Sequence, residues 1–395
     1  MKKLSIQTTV TLAALIMLAP AAFAQESLAD EGLHFGARVG VEHDSNVLRS
    51  TSGEVSDTAW TAGVGVKYDK QFSLQHLHAN VDWDTWRYSD HDELNFNTLN
   101  YNGAWDWSIT PRFHGTVSAD QHQYREVTTD PVTFANRIGR RTESNELAEA
   151  GYGLAGPWRV LAGVSHYKTE STVPGSWDAS PDITYVQAGV GYEAASGSNV
   201  NFRYKRVHGS YHDETFSTFA ALNSDFRDTQ EELTGRWLVT GKTTLDGRIA
   251  HVSRRHDNAP QLDFSGMAGA LHANWDVTPK TRVIGGYEHD ISASGLPTGG
   301  HVTSDRFFIA PVWQATYKTS FNLRWDHTRR EWNDVPGSPF PGGRTDTVES
   351  LQAGVDWNAL RTVTVSGYIR NEHMSSSING GYHANVFGVL ARYAY

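Results

Sequence analysis

Asp82 and Asp84 stand two residues apart, and on an extended chain that spacing places both carboxylates on one face. Two facing carboxylates are the minimum for a glycosidase-type acid pair, but polar β-walls carry such pairs routinely, so they do not define a hydrolytic site. His76 and His78 repeat the spacing with imidazoles, and His251 and His256 flank a polar stretch. Neither pair has the several converging ligands of a zinc site in the sequence around it, so no metal and no other cofactor is expected. There is no Gly-x-Ser-x-Gly elbow, no cysteine and no His-Glu-x-x-His helix. The remaining charged candidates are Arg203, Arg236, Arg248, Arg282, Arg324 and Glu288, each set among alternating apolar residues. Such residues fit a charged wall that passes hydrated solutes, and mixed signs favour cross-strand pairing. The five arginines are where an acidic polymer would be met.

The elements that must position these residues are strands. Leu33, Phe35, Ala37, Val39 and Val41 alternate with His34, Gly36, Arg38, Gly40 and Glu42, and Trp60, Ala62, Val64, Val66 and Tyr68 alternate with Thr61, Gly63, Gly65 and Lys67. Far down the chain Leu351, Ala353, Val355 and Trp357 repeat the pattern against Ser350, Gln352, Gly354 and Asp356. One set is greasy and the other small or polar, which is the period of a membrane strand with one lipid face and one wet face. About eighteen such segments can be read. Short links at 69–71, 155–157, 195–198, 240–242 and 358–361 alternate with long polar ones at 44–57, 124–141, 169–181, 210–227 and 329–345, as periplasmic turns alternate with extracellular loops. The loop at 124–141 is long enough to plug or gate a lumen. Between Leu74 and Leu77 the outward phase slips by one residue, which predicts a bulge or an early end to the turn.

Composition agrees with this class. The 395 residues carry a net charge of −10, which excludes a nucleic-acid partner requiring a basic face. Lys2 and Lys3, an apolar run and Ala22-Phe23-Ala24 have the order of a secretory signal peptide over 1–24, leaving 25–395 as one barrel domain. The mature part contains no apolar run approaching the roughly 20 residues of a spanning helix. Thirteen Trp, sixteen Tyr and sixteen Phe need an amphipathic setting, and a membrane interface supplies one. The units beginning Trp105-Asp106-Trp107, Trp237-Leu238-Val239-Thr240, Trp275-Asp276-Val277-Thr278 and Trp357-Asn358-Ala359-Leu360 each end a strand with an aromatic and then turn, as copies of one hairpin and as a periplasmic aromatic girdle. Phe387, Val389, Ala391, Tyr393 and Tyr395 alternate to a terminal aromatic and resemble the C-terminal signal by which the barrel-assembly machinery recognises its substrates. Trp86, Tyr88, Trp177 and Trp332 are candidates for stacking on sugar rings.

Asp44-Ser45-Asn46-Val47-Leu48-Arg49 resembles the Asp-x-Asn-aliphatic-Phe/Leu-Arg segment that follows the first strand in the EpsL-like family of β-barrel porins of exopolysaccharide operons. Ser45 stands where family members often have Asp, and Leu48 where Phe is common. The resemblance implies a pore acting late in export of a bacterial polysaccharide, beside a periplasmic polysaccharide-export protein. The sequence therefore predicts a transmembrane antiparallel up-and-down β-barrel of the Gram-negative outer membrane, in contact with lipid and lipopolysaccharide. From the resemblance its cargo is expected to be an exported exopolysaccharide, with small hydrophilic solutes of a general or solute-uptake porin as the alternative, because alternation predicts a channel without naming what passes.

Overall fold

The computed structural model describes residues 31–129, 136–173, 181–211, 225–293, 299–334, 343–378 and 380–395. The expected signal peptide and Trp177 lie outside them. Eighteen strands follow in chain order: β1 (Gly32–Asp44), β2 (Asp57–Phe72), β3 (Gln75–Tyr88), β4 (Phe96–Thr110), β5 (Phe113–Thr129), β6 (Asn136–Gly153), β7 (Trp158–Ser171), β8 (Pro181–Glu193) and β9 (Asn199–Tyr211) make the first half. The second half comprises β10 (Asp225–Thr240), β11 (Thr243–His256), β12 (Phe264–Thr278), β13 (Thr281–Ala293), β14 (Gly299–Gln314), β15 (Thr319–Asp334), β16 (Thr345–Asn358), β17 (Val363–Ser376) and β18 (Gly380–Ala394). Every strand pairs antiparallel with its sequence neighbours, and β1 pairs with β18, so the sheet closes on itself. The terminal Tyr395 exchanges backbone hydrogen bonds with Phe35, at 2.8 and 2.9 Å. Closure leaves no sheet edge facing lipid, where an unpaired N–H or C=O would cost several kcal/mol.

Alternation decides which face each residue takes. Leu33, Phe35 and Val39 on β1, Trp60, Val64 and Val66 on β2, and Phe387, Val389 and Tyr393 on β18 all point outward and are exposed. Trp237, Trp275, Trp313 and Trp357 end the outward apolar runs beside short turns. Each pairs with the residue eight positions later, Leu245, Val283, Phe321 and Val365, and Trp107 pairs likewise with Gly115. One hairpin geometry thus recurs around the periplasmic rim. In three of these turns a threonine hydroxyl accepts the turn N–H, from Lys242 to Thr240, from Lys280 to Thr278 and from Lys318 to Thr316. The repeat begins at Trp107, two residues after the first Trp of the unit identified in the sequence. It also includes Trp313-Gln314-Ala315-Thr316, a copy that the sequence reading passed over.

One expectation needs correction and another is resolved. Residues 124–141 are not a long loop, since β5 runs to Thr129 and β6 starts at Asn136, so the described part of this hairpin is ladder. Its polar residues continue the alternation above the apolar band. The phase slip near Leu74 is no bulge either: Phe72 pairs with Gln75 across a two-residue turn in which Ser73 takes φ 55°, and the register of β2 and β3 is unbroken. The turn is complete before Gln75 and the face assignment flips across it, while residues 69–71, expected as the short link, continue strand β2.

Small residues on the inner face have a defined use. Arg38 on β1 is the register partner of Gly63 on β2, which is the partner of Asp84 on β3. Arg38 therefore reaches over the glycine to Asp84, Nε to Oδ1 at 2.5 Å, and also to Asp82 at 2.7 Å. A Cβ at Gly63 would sit 2.1 Å from Asp84 Oδ1. Arg159 reaches over Gly191 to Asn201 and Gln187 over Gly163 to Glu149 in the same way. Gly63→Val is expected to break the Arg38–Asp84 bridge and to cost about 1–3 kcal/mol, the range of overpacking. Gly36→Ala, where a Cβ meets nothing closer than 3.6 Å, is expected to leave stability unchanged. Urea titration of the detergent-folded barrel, followed by its heat-modifiable migration, checks both.

Candidate functional site

The lumen wall is a lattice of ion pairs. Arg203 on β9 pairs with Glu149 on β6, Arg236 with Asp246, Arg248 with Glu232, Arg282 with Asp276 and Arg324 with Asp326, at 3.2, 3.8, 2.7, 2.7 and 2.6 Å. Glu288 accepts from His272 at 3.0 Å and lies 3.5 Å from Arg306, which also pairs with Asp326. The predicted inward register holds for all of these. What changes is their meaning, because the five arginines do not form an open cationic patch: each carries a carboxylate partner on its own or another strand. Asp82 and Asp84 converge on a single guanidinium, so they act here as its two acceptors.

Exposure grades along the lumen. Near the periplasmic turns Arg282 is 57% exposed, whereas midway up the wall Lys205 and Glu232 are 3% and 1% exposed. Glu232 lies 2.9 Å from Lys205 and accepts from Arg248 at 2.7 Å. Higher still, Phe226 is fully buried with Tyr167, Ile183 and Val207 around it, and Arg254 lies 3.7 Å above its ring while pairing with Asp228. Among these inward residues, burial increases from the short turns toward the long connections.

The segment between β1 and β2 contributes most to that packing. Asp44, Asn46, Val47 and Arg49 are all buried. Val47 packs with Ala59, Tyr88 and Leu94, and Trp86, Phe96 and Ile138 close around them. Asn46 donates to the carbonyls of Ser50 and His383, and Ser45 bonds Asn385, which ties the loop to β18. Arg49 adopts a positive φ of 54°, uncommon for a side-chain-bearing residue. Its guanidinium binds both oxygens of Asp44 at 2.9 and 2.7 Å, Glu372 on β17 at 3.2 Å and the Asn46 carbonyl. These bonds hold a backbone conformation that costs on the order of 1–2 kcal/mol. Arg125 donates to the Tyr88 hydroxyl and to the Val47 carbonyl. The motif of the first loop thus ties β17 and β18 to β3 and β5 on the inner face of the barrel.

Three aromatics expected to stack on sugars are already covered. Trp86 stacks on Phe96 at 5.6 Å, Tyr88 is buried beneath Arg125, and Arg344 lies 4.5 Å over the face of Trp332. Their polar surroundings look loop-like in sequence, but their parity turns them inward. The structure also brings together a group that spacing alone did not show, His76 and His78 with Asp106 from the neighbouring strand.

Two outer connections share one design that the sequence reading missed. Residues 88–96 and 256–264 each place a short 3-10 turn before a Leu-Asn/Asp-Phe step, with Leu94 and Leu262 buried. Asn95 Oδ1 accepts the Tyr88 N–H and Asp263 Oδ1 the His256 N–H, both at 2.7 Å. Burial disfavours the charge of Asp263, but the bonds from His256 and Arg255 outweigh it and hold its carboxyl below the usual range. A carboxyl depressed in this way contributes stability that is present above the ordinary value near ~3.9 and is lost only as pH falls through the lower one. The signal was the recurrence of Leu-Asx-Phe seven residues after a strand end.

No family model matches the chain, and no curated protein is detectably similar to it. Among solved structures it is similar to OccK2 (OpdF) of Pseudomonas aeruginosa in complex with glucuronate, with a TM-score of 0.50 at 11% identity over 92% of this chain and 98% of that one. It is also similar to the outer membrane protein OpdK of Pseudomonas aeruginosa, with a TM-score of 0.46 at 8% identity over 92% and 99%. Against OccAB3 of Acinetobacter baumannii the TM-score is 0.48 at 9% identity over 93% and 99%. The fold is that of an outer-membrane porin: a closed, eighteen-stranded, antiparallel up-and-down barrel.

Glu232→Gln leaves Lys205 and Arg248 without their shared anion and is expected to destabilise the barrel by about 3–5 kcal/mol. Glu288→Gln, on the wetter part of the wall, is expected to cost less than about 1 kcal/mol. Comparison of their urea midpoints with that of the parent checks the exposure gradient directly.

Proposed function

We propose that the protein is a passive channel for small hydrophilic solutes, with passage set by the inward-folded first loop. The observation that carries this reading is the ion-paired inner wall together with the first loop, whose Asn46, Val47 and Arg49 are buried against it. Ion pairs of both signs give a permeant several hydrogen-bonding partners without a strong net field, which suits solutes bearing hydroxyl and carboxylate groups together. OccK2, the neighbour of like fold, has been crystallised with glucuronate, a solute of that chemistry, and we take sugar acids as the substrate class to test first.

Export of an exopolysaccharide is the second reading, favoured by the resemblance of Asp44 to Arg49. Those residues are, however, fully engaged in folding the first loop, a role that requires the motif whatever passes.

Purified barrel in a planar bilayer is expected to give long-lived ohmic steps that glucuronate reduces in a concentration-dependent way. Removal of Asn46 to Glu54, which takes out the buried Val47 and Arg49, is expected to raise conductance several-fold, because an eighteen-stranded barrel is wide enough for an aqueous channel once its loops are cleared. Absence of steps, or identical conductance after the deletion, would overturn the proposal. Extracellular polysaccharide is expected to be unchanged in a deletion strain, and its loss with rescue by the intact gene would establish the export reading instead.

A further inference from the structure

We propose that the periplasmic mouth of the lumen holds a site for one divalent transition-metal ion, formed by His76, His78 and Asp106. His76 and His78 project from the same inner face of β3, and Asp106 on β4 is the register partner of His76. One ligand atom from each of the three lies within 4.8 Å of the others. The two imidazoles stand 5.5 Å apart, tilted by 45°, and His76 Nδ1 is 3.8 Å from Asp106 Oδ2. Donor atoms around a tetrahedral zinc at about 2.0–2.2 Å lie roughly 3.4 Å apart, so modest side-chain rotations would close the set.

Two neighbours prepare these ligands. Asp69 on β2 binds His76 Nε2 at 3.0 Å, which places the ring proton there and leaves the Nδ1 lone pair for a metal. Thr116 on β5 donates to Asp106 Oδ1 at 2.5 Å, leaving Oδ2 directed toward His76. Asp69 and Asp106 together supply two carboxylates beside the imidazoles. Two imidazoles and one carboxylate select zinc, copper or nickel over calcium or magnesium, whose preferred ligands are oxygens. All three side chains are half-buried and face the lumen, so a bound ion keeps positions for water and places positive charge where solutes leave. Binding does not depend on the channel reading, so the test uses binding itself.

Untagged full-length barrel in detergent is titrated with Zn²⁺ by calorimetry and with Co²⁺ by its visible d–d absorption. One ion per barrel is expected, with binding lost in His76→Ala and His78→Ala and weakened about 10–100-fold in Asp69→Asn, as for other residues that orient a ligand. His272→Ala, at a lumen histidine paired with Glu288, is expected to bind as the parent does. Heat-modifiable migration identifies folded variants, and His78→Gln serves if the alanine variant fails to fold. No saturable binding by the parent, equal binding by the His76 and His78 variants, or preference for Ca²⁺ over Zn²⁺ would overturn the site.

Discussion

Everything in this structure depends on the demand that a backbone crossing lipid pair its own N–H and C=O groups. A sheet meets that demand only by closing, and β1 meets β18 over the register from Gly36 with Ala394 to Asp44 with Val386. Closure fixes an inside and an outside for every residue, and the period of two then assigns each side chain to lipid or lumen. A one-residue slip would turn Leu33, Phe35 and Val39 into the lumen and Arg38 into hydrocarbon, which is why the register tolerates so little variation. The hairpins with a threonine bonded to the turn N–H hold that register at the periplasmic rim.

The inside of such a barrel has a second problem, since charged side chains must be wet or matched. Here they are matched over distances longer than one strand spacing. Arg38 reaches Asp84 because the strand between them offers Gly63, and Arg159 reaches Asn201 over Gly191. Inner-face glycines thus convert a row of neighbours into a lattice spanning three strands. Pairing also accounts for the modest field of the lumen, in which Arg203, Arg236, Arg248, Arg282 and Arg324 are each balanced by an acid.

Alternation made strand number, direction and facing legible in the sequence, down to the inward placement of Asp82, Asp84 and Glu288. Those properties are local, and two residues suffice to read them. The partners of those residues were not legible, because they depend on the stagger between strands. His76 and Asp106 are thirty residues apart by number and adjacent by register. The surroundings of Trp86, Tyr88 and Trp332 were not legible for a related reason: parity gives the face of a residue, but not what packs over it.

The loop carrying Asp44, Asn46 and Arg49 shows how a functional-looking motif can be demanded by folding. A polar loop entering a lumen must satisfy its own backbone, and Asn46 does so on Ser50 and His383 while Asp44 accepts the Asn46 N–H. Arg49 then holds an unfavourable φ through Asp44 and Glu372, linking the loop to the last strands of the barrel. Shorter or uncharged side chains could not span from β1 to β17. The acid, the amide and the guanidinium are therefore needed together, at these spacings, for the loop to enter the barrel, and any selectivity at the loop is built on that prior requirement.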